Sequence, residues 1–321
     1  MSNCYTQTPL PVICLAGPTG AGKTSLALRL AQILNGEIIN TDSRQVYRDF
    51  PIISAQPSPE EQASFPHHLY GFLDTNKKIS AGEWRAMAVE KIRDVLKREH
   101  VPLLVGGTGM YFEALLHGIA PIPPIDPKLR AELEERADQE GIQKLYHKLQ
   151  EVDPAYAAKI HPHDRQRIVR ALEVLAQTGD TFTTWHTRTG LSMPKCQGPL
   201  LVLKVDLEWL LPRLAHRITI MLNQGAIEEA QAAFKKCPLA TAPGWTAIGS
   251  MELLAYLQGR LELSLCLDLW LKNTRAYAKR QNTWFRGRKE AQFFAMQDAE
   301  TLVQCAQKAW ETLQNNIYVD I

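Results

Sequence analysis

The chain has 321 residues, enough for about two domains with a substantial core. Its apolar fraction of 45% and charged fraction of 22% are those of an ordinary globular protein, and no apolar run approaches the roughly 18 residues of a membrane-spanning helix. A net charge of +2 makes no global case for nucleic acid, but Lys272–Lys289 holds seven Lys/Arg and no Asp or Glu, the local asymmetry expected of a site for an anionic partner.

Met1–Pro11 carries neither a basic nor an apolar leader segment. The six cysteines, at 4, 14, 196, 237, 266 and 305, show no C-x-x-C spacing. Reduced thiols in a cytoplasmic protein are expected. Val12–Ala16 is a short apolar run of the kind a buried parallel strand shows. Gly17, Pro18, Thr19, Gly20, Ala21, Gly22, Lys23 and Thr24 then match the P-loop pattern G-x-x-x-x-G-K-[ST], and Ser25–Leu34 follows with helical spacing. Such a loop turns backbone N–H groups toward phosphate oxygens and aims a helix N-terminus at them. Lys23 adds a mobile charge, and the Thr24 hydroxyl can ligate magnesium. The loop specifies a phosphate chain, and a diphosphate leaving group fits it as well as ATP.

Glu37–Asn40 reads as a second strand, with Asp42 and Ser43 at its end. A carboxylate there can hold a metal, take a proton from a nucleophile, or cap the next helix. Pro102–Val105 is a third strand, ending in Gly106, Gly107 and Thr108. A plain ATPase more often ends this strand in Asp, and Asp206 is the later candidate for that role. These strand–helix units predict an α/β fold: a P-loop NTPase-like parallel sheet with Asp42, Ser43 and Gly106–Thr108 converging at the strand carboxyl ends.

Pro121–Pro127 punctuates the chain. Lys128–Glu140, Ile142–Val152, Pro154–Ile160 and Asp164–Thr178 then read as helices without a strand among them. Gly179–Pro199 is loop-like and Leu200–Val205 resumes as a strand. The pattern predicts a helical domain, 118–200, inserted into a core made of 1–117 and 201–321. Within it Arg167 and Arg170 share a helix face, for an anion or for surface ion pairs. His161 and His163 lack a third placed ligand, so no metal site is expected there. On the helix Leu210–Leu222, Arg213 and Arg217 could reach a diphosphate, and the chain to about Asn315 reads as further helices. In 276–288, Tyr277, Lys279, Arg280, Trp284, Phe285, Arg286 and Arg288 interleave charge with rings. Basic groups there would meet phosphates and the aromatics would stack unpaired bases, unless Trp284 and Phe285 belong to the core.

GPTGAGKT (17–24), NTDSRQVY (40–47), PHHL (66–69), LLVGGTGMYF (103–112), IHPHDRQRIVRALEV (160–174) and KRQNTWFRG (279–287) occur in this order. The set, spanning Val12 to Gly287, resembles the tRNA dimethylallyltransferase (tRNA isopentenyltransferase) family. The resemblance implies a P-loop core with a helical insertion that grips the tRNA anticodon stem-loop. It implies transfer of a dimethylallyl group from dimethylallyl diphosphate to N6 of the adenine at position 37, just 3′ of the anticodon. The P-loop would bind the diphosphate, with Mg2+ on Thr24 and with Lys23 and Arg217 neutralising charge. Asp42 would be the base on N6 and Thr108 would position the substrates. Asp42, Ser43, Arg44, Gln45, Thr108, Arg130, Gln166, Arg167, Arg170, Lys279, Arg280, Gln281, Trp284 and Arg286 would contact tRNA. A cytoplasmic monomer is expected.

Two stretches depart from the family. Ser54-Ala55-Gln56-Pro57 stands where G-T-A-K-P is usual, and WTAIGSME (245–252) replaces a basic, Tyr-containing loop. A P-loop kinase of a nucleoside or small molecule would use the same phosphate loop, Asp42 and Gly106–Gly107, but leaves the basic-aromatic segment and the insertion unexplained. A non-catalytic, nucleotide-dependent RNA-binding module leaves Asp42 and Thr108 idle.

Overall fold

The computed structural model describes residues 9–187 and 195–319; Cys4 and the stretch 188–194 of the expected loop lie outside them. The chain divides into two compact units, one joining the residues up to Leu116 with those from Lys195 onward, the other His117–Pro194. The expected return to the core at 201 moves forward. Leu10–Pro11 (β1) pairs with Cys196–Gln197 (β6) as a two-stranded parallel sheet, which draws the chain back before Leu200.

The first unit is built on six parallel strands. In chain order they are β2 (Ile13–Ala16), β3 (Gly36–Asn40), β4 (His67–His68), β5 (Val101–Gly106), β7 (Leu200–Leu203) and β8 (Ala291–Phe294). Across the sheet the order is β4-β3-β5-β2-β7-β8. Alternate residues face opposite ways, and both faces are apolar, which is why these strands read as continuous hydrophobic runs. Ile13, Leu15, Ile38, Leu103, Val105, Leu201 and Leu203 meet α1 (Lys23–Leu34) and α14 (Ala299–Val319). Cys14, Ala16, Ile39, Leu104, Leu200 and Val202 meet α3 (Ala81–Lys97) and α4 (Gly109–Leu116). A third cluster joins α10 (Leu207–Asn223), α11 (Ala226–Lys236), α12 (Ser250–Leu257) and α13 (Leu263–Arg286) to Val46–Ile53, around Trp245 and Trp270. The short helix α2 (Pro59–Ser64) carries a Ser58–Glu61 capping box.

Three expectations change. Beyond 201 the unit is not only helical: Ala291–Phe294 is the edge strand β8, four residues paired with β7 alone. Asp206 accepts from Glu208 N (2.7 Å) and caps α10, so it serves a helix end rather than the phosphate loop. Helix α10 accordingly starts at Leu207, ahead of the expected Leu210.

The second unit is helical throughout its described residues: α5 (Pro127–Glu140), α6 (Ile142–Val152), α7 (Pro154–Ala157), α8 (Arg165–Thr178) and α9 (Phe182–Thr187). Asp126, Asp153 and Asp164 cap α5, α7 and α8. Leu133, Leu145, Leu149, Ile168 and Leu172 form its core. Helix α9 occupies part of the stretch expected to be loop. Asp153 holds it by accepting from Thr183 N (2.9 Å) and Thr183 Oγ1 (2.6 Å).

Candidate active site

The P-loop joins β2 to α1, next to the central strands of the sheet. Gly22, at φ 86°, occupies the left-handed region as the N-cap of α1, a conformation that favours glycine. Lys23 Nζ donates to Gly17 O (2.9 Å) and Pro18 O (2.8 Å), so the ammonium folds back over its own loop. Burial lowers its pKa to about 8; the Asp42 carboxylate opposes that shift and the Arg217 guanidinium adds to it. Arg217, from α10, donates to Thr19 Oγ1 (3.3 Å), and its own burial lowers its pKa too. Two crowded cations with one carboxylate near both make a surface that an anion can neutralise.

A cavity of about 670 Å³ opens above the loop. Its lining includes Thr19–Thr24, Asp42, Gln56, Tyr70, Arg213 and Arg217. Pro18, within the loop, is buried; Thr24 is exposed at the head of α1. Arg213, expected as a partner of Arg217, lines the cavity with its guanidinium 4.3 Å over the Trp209 ring.

A second cavity, of about 490 Å³, was not legible in the sequence. Arg44, Met251, Trp270, Asn273, Tyr277 and Arg280 are among its walls. Thr19, Asp42, Ser54 and Arg217 line both cavities, so they meet at this quartet.

Asp42 stands at the meeting point. Its Oδ1 accepts from Arg44 N (2.9 Å), and its own N donates to Asn40 Oδ1 (2.7 Å). The segment that follows makes turns, and the next helix is α2, so Asp42 is no helix cap. Thr108 Oγ1 accepts from Ser43 N (2.9 Å) and donates to Ser43 Oγ (3.2 Å), tying the end of β5 to the end of β3. Tyr277 hydrogen-bonds Thr108; burial, then the nearby Asp42 charge, pushes its phenol above the usual range. Arg44 donates to Thr246 Oγ1 (3.0 Å), and Gln45 Nε2 to Ser54 O (3.2 Å) and Ala55 O (2.6 Å).

Two residues expected at an RNA surface also serve the frame. Gln281 is 4% exposed; its Oε1 accepts from Thr19 N (2.9 Å) and its Nε2 donates to Gly107 O (3.0 Å). The side chain is consumed in joining the P-loop to the end of β5. Trp284 is half-buried, with Arg288 over its ring at 4.1 Å. Gly109 approaches it so closely that a Cβ there would lie 2.2 Å from the ring, and Phe285 beside it is fully buried. Phe285 belongs to the core, and Trp284 packs against it partly buried. Lys279, Arg280 and Arg286 do lie exposed on α13.

In the second unit Gln166 and Arg167 are exposed, and Arg167 pairs with Asp164 (3.4 Å). Arg130 (3.5 Å) and Arg170 (3.2 Å) both approach the buried carboxylate of Glu173. Among the described residues no group of three His, Cys, Asp or Glu could cage a metal, and no helix is long and apolar enough to cross a membrane. Cys14, Cys196, Cys237, Cys266 and Cys305 are free thiols.

The description "IPP transferase" belongs to the family model that matches residues 45–288. The chain is 59% identical to the tRNA dimethylallyltransferase of Desulfovibrio desulfuricans, over 92% of each chain. It is 52% identical to that of Nitratidesulfovibrio vulgaris strain DP4, over 90% of this chain and 93% of the relative. Among solved structures it resembles the tRNA isopentenylpyrophosphate transferase of Bacillus halodurans, with TM-score 0.67, 31% identity, and coverage of 95% and 99%. It also resembles a eukaryotic dimethylallyltransferase acting on tRNA, with TM-score 0.77, 28% identity, and coverage of 97% and 80%.

Proposed function

The chain belongs to the tRNA dimethylallyltransferase family, and from that premise we propose how its site carries out the transfer of a dimethylallyl group from dimethylallyl diphosphate to N6 of adenosine 37 in tRNA. One observation carries the reading: two cavities, one cationic and floored by the P-loop, the other walled by Arg44, Tyr277 and Arg280, meet at Asp42. A diphosphate donor occupies the first and the extruded adenine the second.

The exocyclic N6 lone pair is delocalised and a weak nucleophile, so the donor must be activated. The P-loop N–H groups, Lys23 and Arg217 neutralise the diphosphate as its charge grows. N6 attacks the allylic carbon, the C–O bond to diphosphate breaks, and the N6 proton passes to the Asp42 carboxylate. Thr108, held between Ser43 and Tyr277, keeps the ends of β3 and β5 in register beside the reacting atoms.

The exposed Thr24 hydroxyl suits a hard cation that takes its other ligands from phosphate oxygens. Mg2+ bound there would add charge neutralisation of the leaving group. Arg130, Gln166, Arg167 and Arg170 on the second unit, with Arg44, Lys279, Arg280 and Arg286 on the first, are the groups for the anticodon stem-loop. The protein works as a cytoplasmic monomer in this reading.

The test offers dimethylallyl diphosphate, ATP and unmodified tRNA together, with mass-spectrometric base analysis. N6-dimethylallyladenosine formed without ATP consumption supports the reading. Phosphoryl transfer from ATP would instead make the protein a kinase.

A further inference from the structure

Residues 50–56 form a strap across the site. Ser54, Ala55, Gln56 and Pro57 line the phosphate cavity, while Ile53 and Ser54 line its neighbour. The strap is a single irregular helical turn: Ser54 N donates to Phe50 O (3.1 Å), Gln56 N to Pro51 O (2.8 Å) and Ala55 N to Ile52 O (2.9 Å). The N–H groups of Ile52 and Ile53, at the start of this turn, therefore find no acceptor within it. Glu229, on α11 and 177 residues away, supplies both: its Oε2 accepts from Ile52 N (2.8 Å) and its Oε1 from Ile53 N (2.9 Å). Gln45 and Gln56 hold the far end of the strap through Ser54 O, Ala55 O and Tyr47 O.

A carboxylate that accepts two adjacent N–H groups fixes a strap's height as well as its presence. Ile53 is 4% exposed, so losing these acceptors would leave a buried donor unpaired and lift the turn. The residue that would move is Ser54, which shares the meeting point of the cavities with Asp42. We propose that Glu229 is a positioning residue for the transfer reaction: from α11 it clamps the strap so that Ser54 keeps the donor's allylic carbon and the acceptor nitrogen in line before Asp42. The proposal rests on the dimethylallyl-transfer reading of the site.

The clamp is also sensitive to protons. Burial raises the Glu229 carboxyl to about 7; the two backbone N–H groups oppose this and the Asp49 carboxylate adds to it. Asp49, tied to Lys236 and Thr75, is the charged group facing Glu229 from the strap side; Lys236 lies on Glu229's own helix. A protonated carboxyl keeps one good acceptor oxygen and loses the double clamp.

Two measurements test it. In the wild-type protein, amide hydrogen exchange of Ile52 and Ile53, corrected for intrinsic rates, should show protection falling as pH drops from 8 to 6. Unchanged protection would overturn the clamp, whatever reaction the site performs. Single-turnover transfer at saturating donor and tRNA should fall over the same interval. In Glu229→Gln the rate should drop roughly 10- to 100-fold at pH 8, as a small misplacement of reacting groups does, and lose that inflection. A folded Glu229→Gln protein with the wild-type rate and pH profile overturns the proposal, as does a flat wild-type profile if the variant does not fold. A wild-type protein with no transfer activity would sink the functional reading and leave the exchange result to decide the clamp.

Discussion

In the proposed transfer Asp42 and Lys23 divide the chemistry between them, and each has its own signature. Asp42→Ala should lower the single-turnover rate by about 10²–10⁴-fold while tRNA affinity holds, because a general base acts only as N6 attacks. Rate measurements beside a tRNA-binding isotherm would check the split. Lys23 presents a different dependence. With its pKa near 8 in the free protein, it is charged below that value, and a bound diphosphate favours the charged form. Donor affinity should therefore be level up to neutrality and weaken as pH rises through about 8. Titration calorimetry with dimethylallyl diphosphate would show this, and Lys23→Ala should bind weakly with no such break. Arg217→Ala should also bind the donor weakly. Away from the site, Glu37 is buried at the start of β3, and its carboxylate accepts from Arg98 (2.9 and 2.7 Å) and bonds His68 (2.5 Å) and His100 (2.7 Å). Burial would raise its pKa, but these bonds outweigh that and hold it at about 2. A depressed carboxylate stabilises the fold above its unfolded pKa, so this contribution should vanish as pH falls from about 4.5 toward 2. Arg98→Met should cost about 2 kcal/mol in a urea melt, below the usual loss for a broken buried pair because Arg98 is half-exposed.

Helix α13 has two contrasting faces. Lys279, Arg280 and Arg286 face solvent, whereas Ala278, Gln281, Asn282 and Phe285 are buried. Neutralising the three basic residues should weaken tRNA binding and flatten log K against log[salt] by roughly 0.7–0.9 per lost phosphate contact. Wild-type affinity and slope would remove α13 from the RNA surface. Trp284→Ala should act on stability instead, at about 2–3 kcal/mol by analogy with core aromatic truncations, with the half-exposed ring at the lower end. A thermal melt separates that from RNA binding. The same helix shows what sequence reading captured and what it did not. The phosphate loop was legible because local spacing of glycines with Lys and Thr dictates a local turn. The face assignment within 279–286 was not, because contacts with Gly107, Gly109 and Thr19 decide it, and those residues lie far off in sequence. Strand β8 was missed for a related reason: its exposed middle and single neighbour leave no alternation to read. The second cavity draws its walls from stretches far apart in sequence, around Thr19, Asp42, Ile53, Arg217, Met251 and Tyr277, and no local spacing shows that these converge.

At the scale of the whole molecule, the Gln281 side chain has a thermodynamic consequence. It is one residue from Arg280 on α13, and it grips the phosphate loop at Thr19 and the β5 end at Gly107. On the proposed reading, an RNA backbone that steadies α13 steadies the loop that would receive the donor, and a donor that orders the loop steadies the helix. Linkage makes such a relation reciprocal: each substrate should raise the other's affinity by one shared factor, typically about 5- to 150-fold for coupled sites. Measuring donor binding with and without tRNA, and tRNA binding with and without a non-reactive donor analogue, gives that factor twice. In Gln281→Leu the two factors should shrink together toward unity, while each substrate alone binds nearly as before. Two separate sites would then have become independent through the loss of one amide whose bonds go to Thr19 and Gly107.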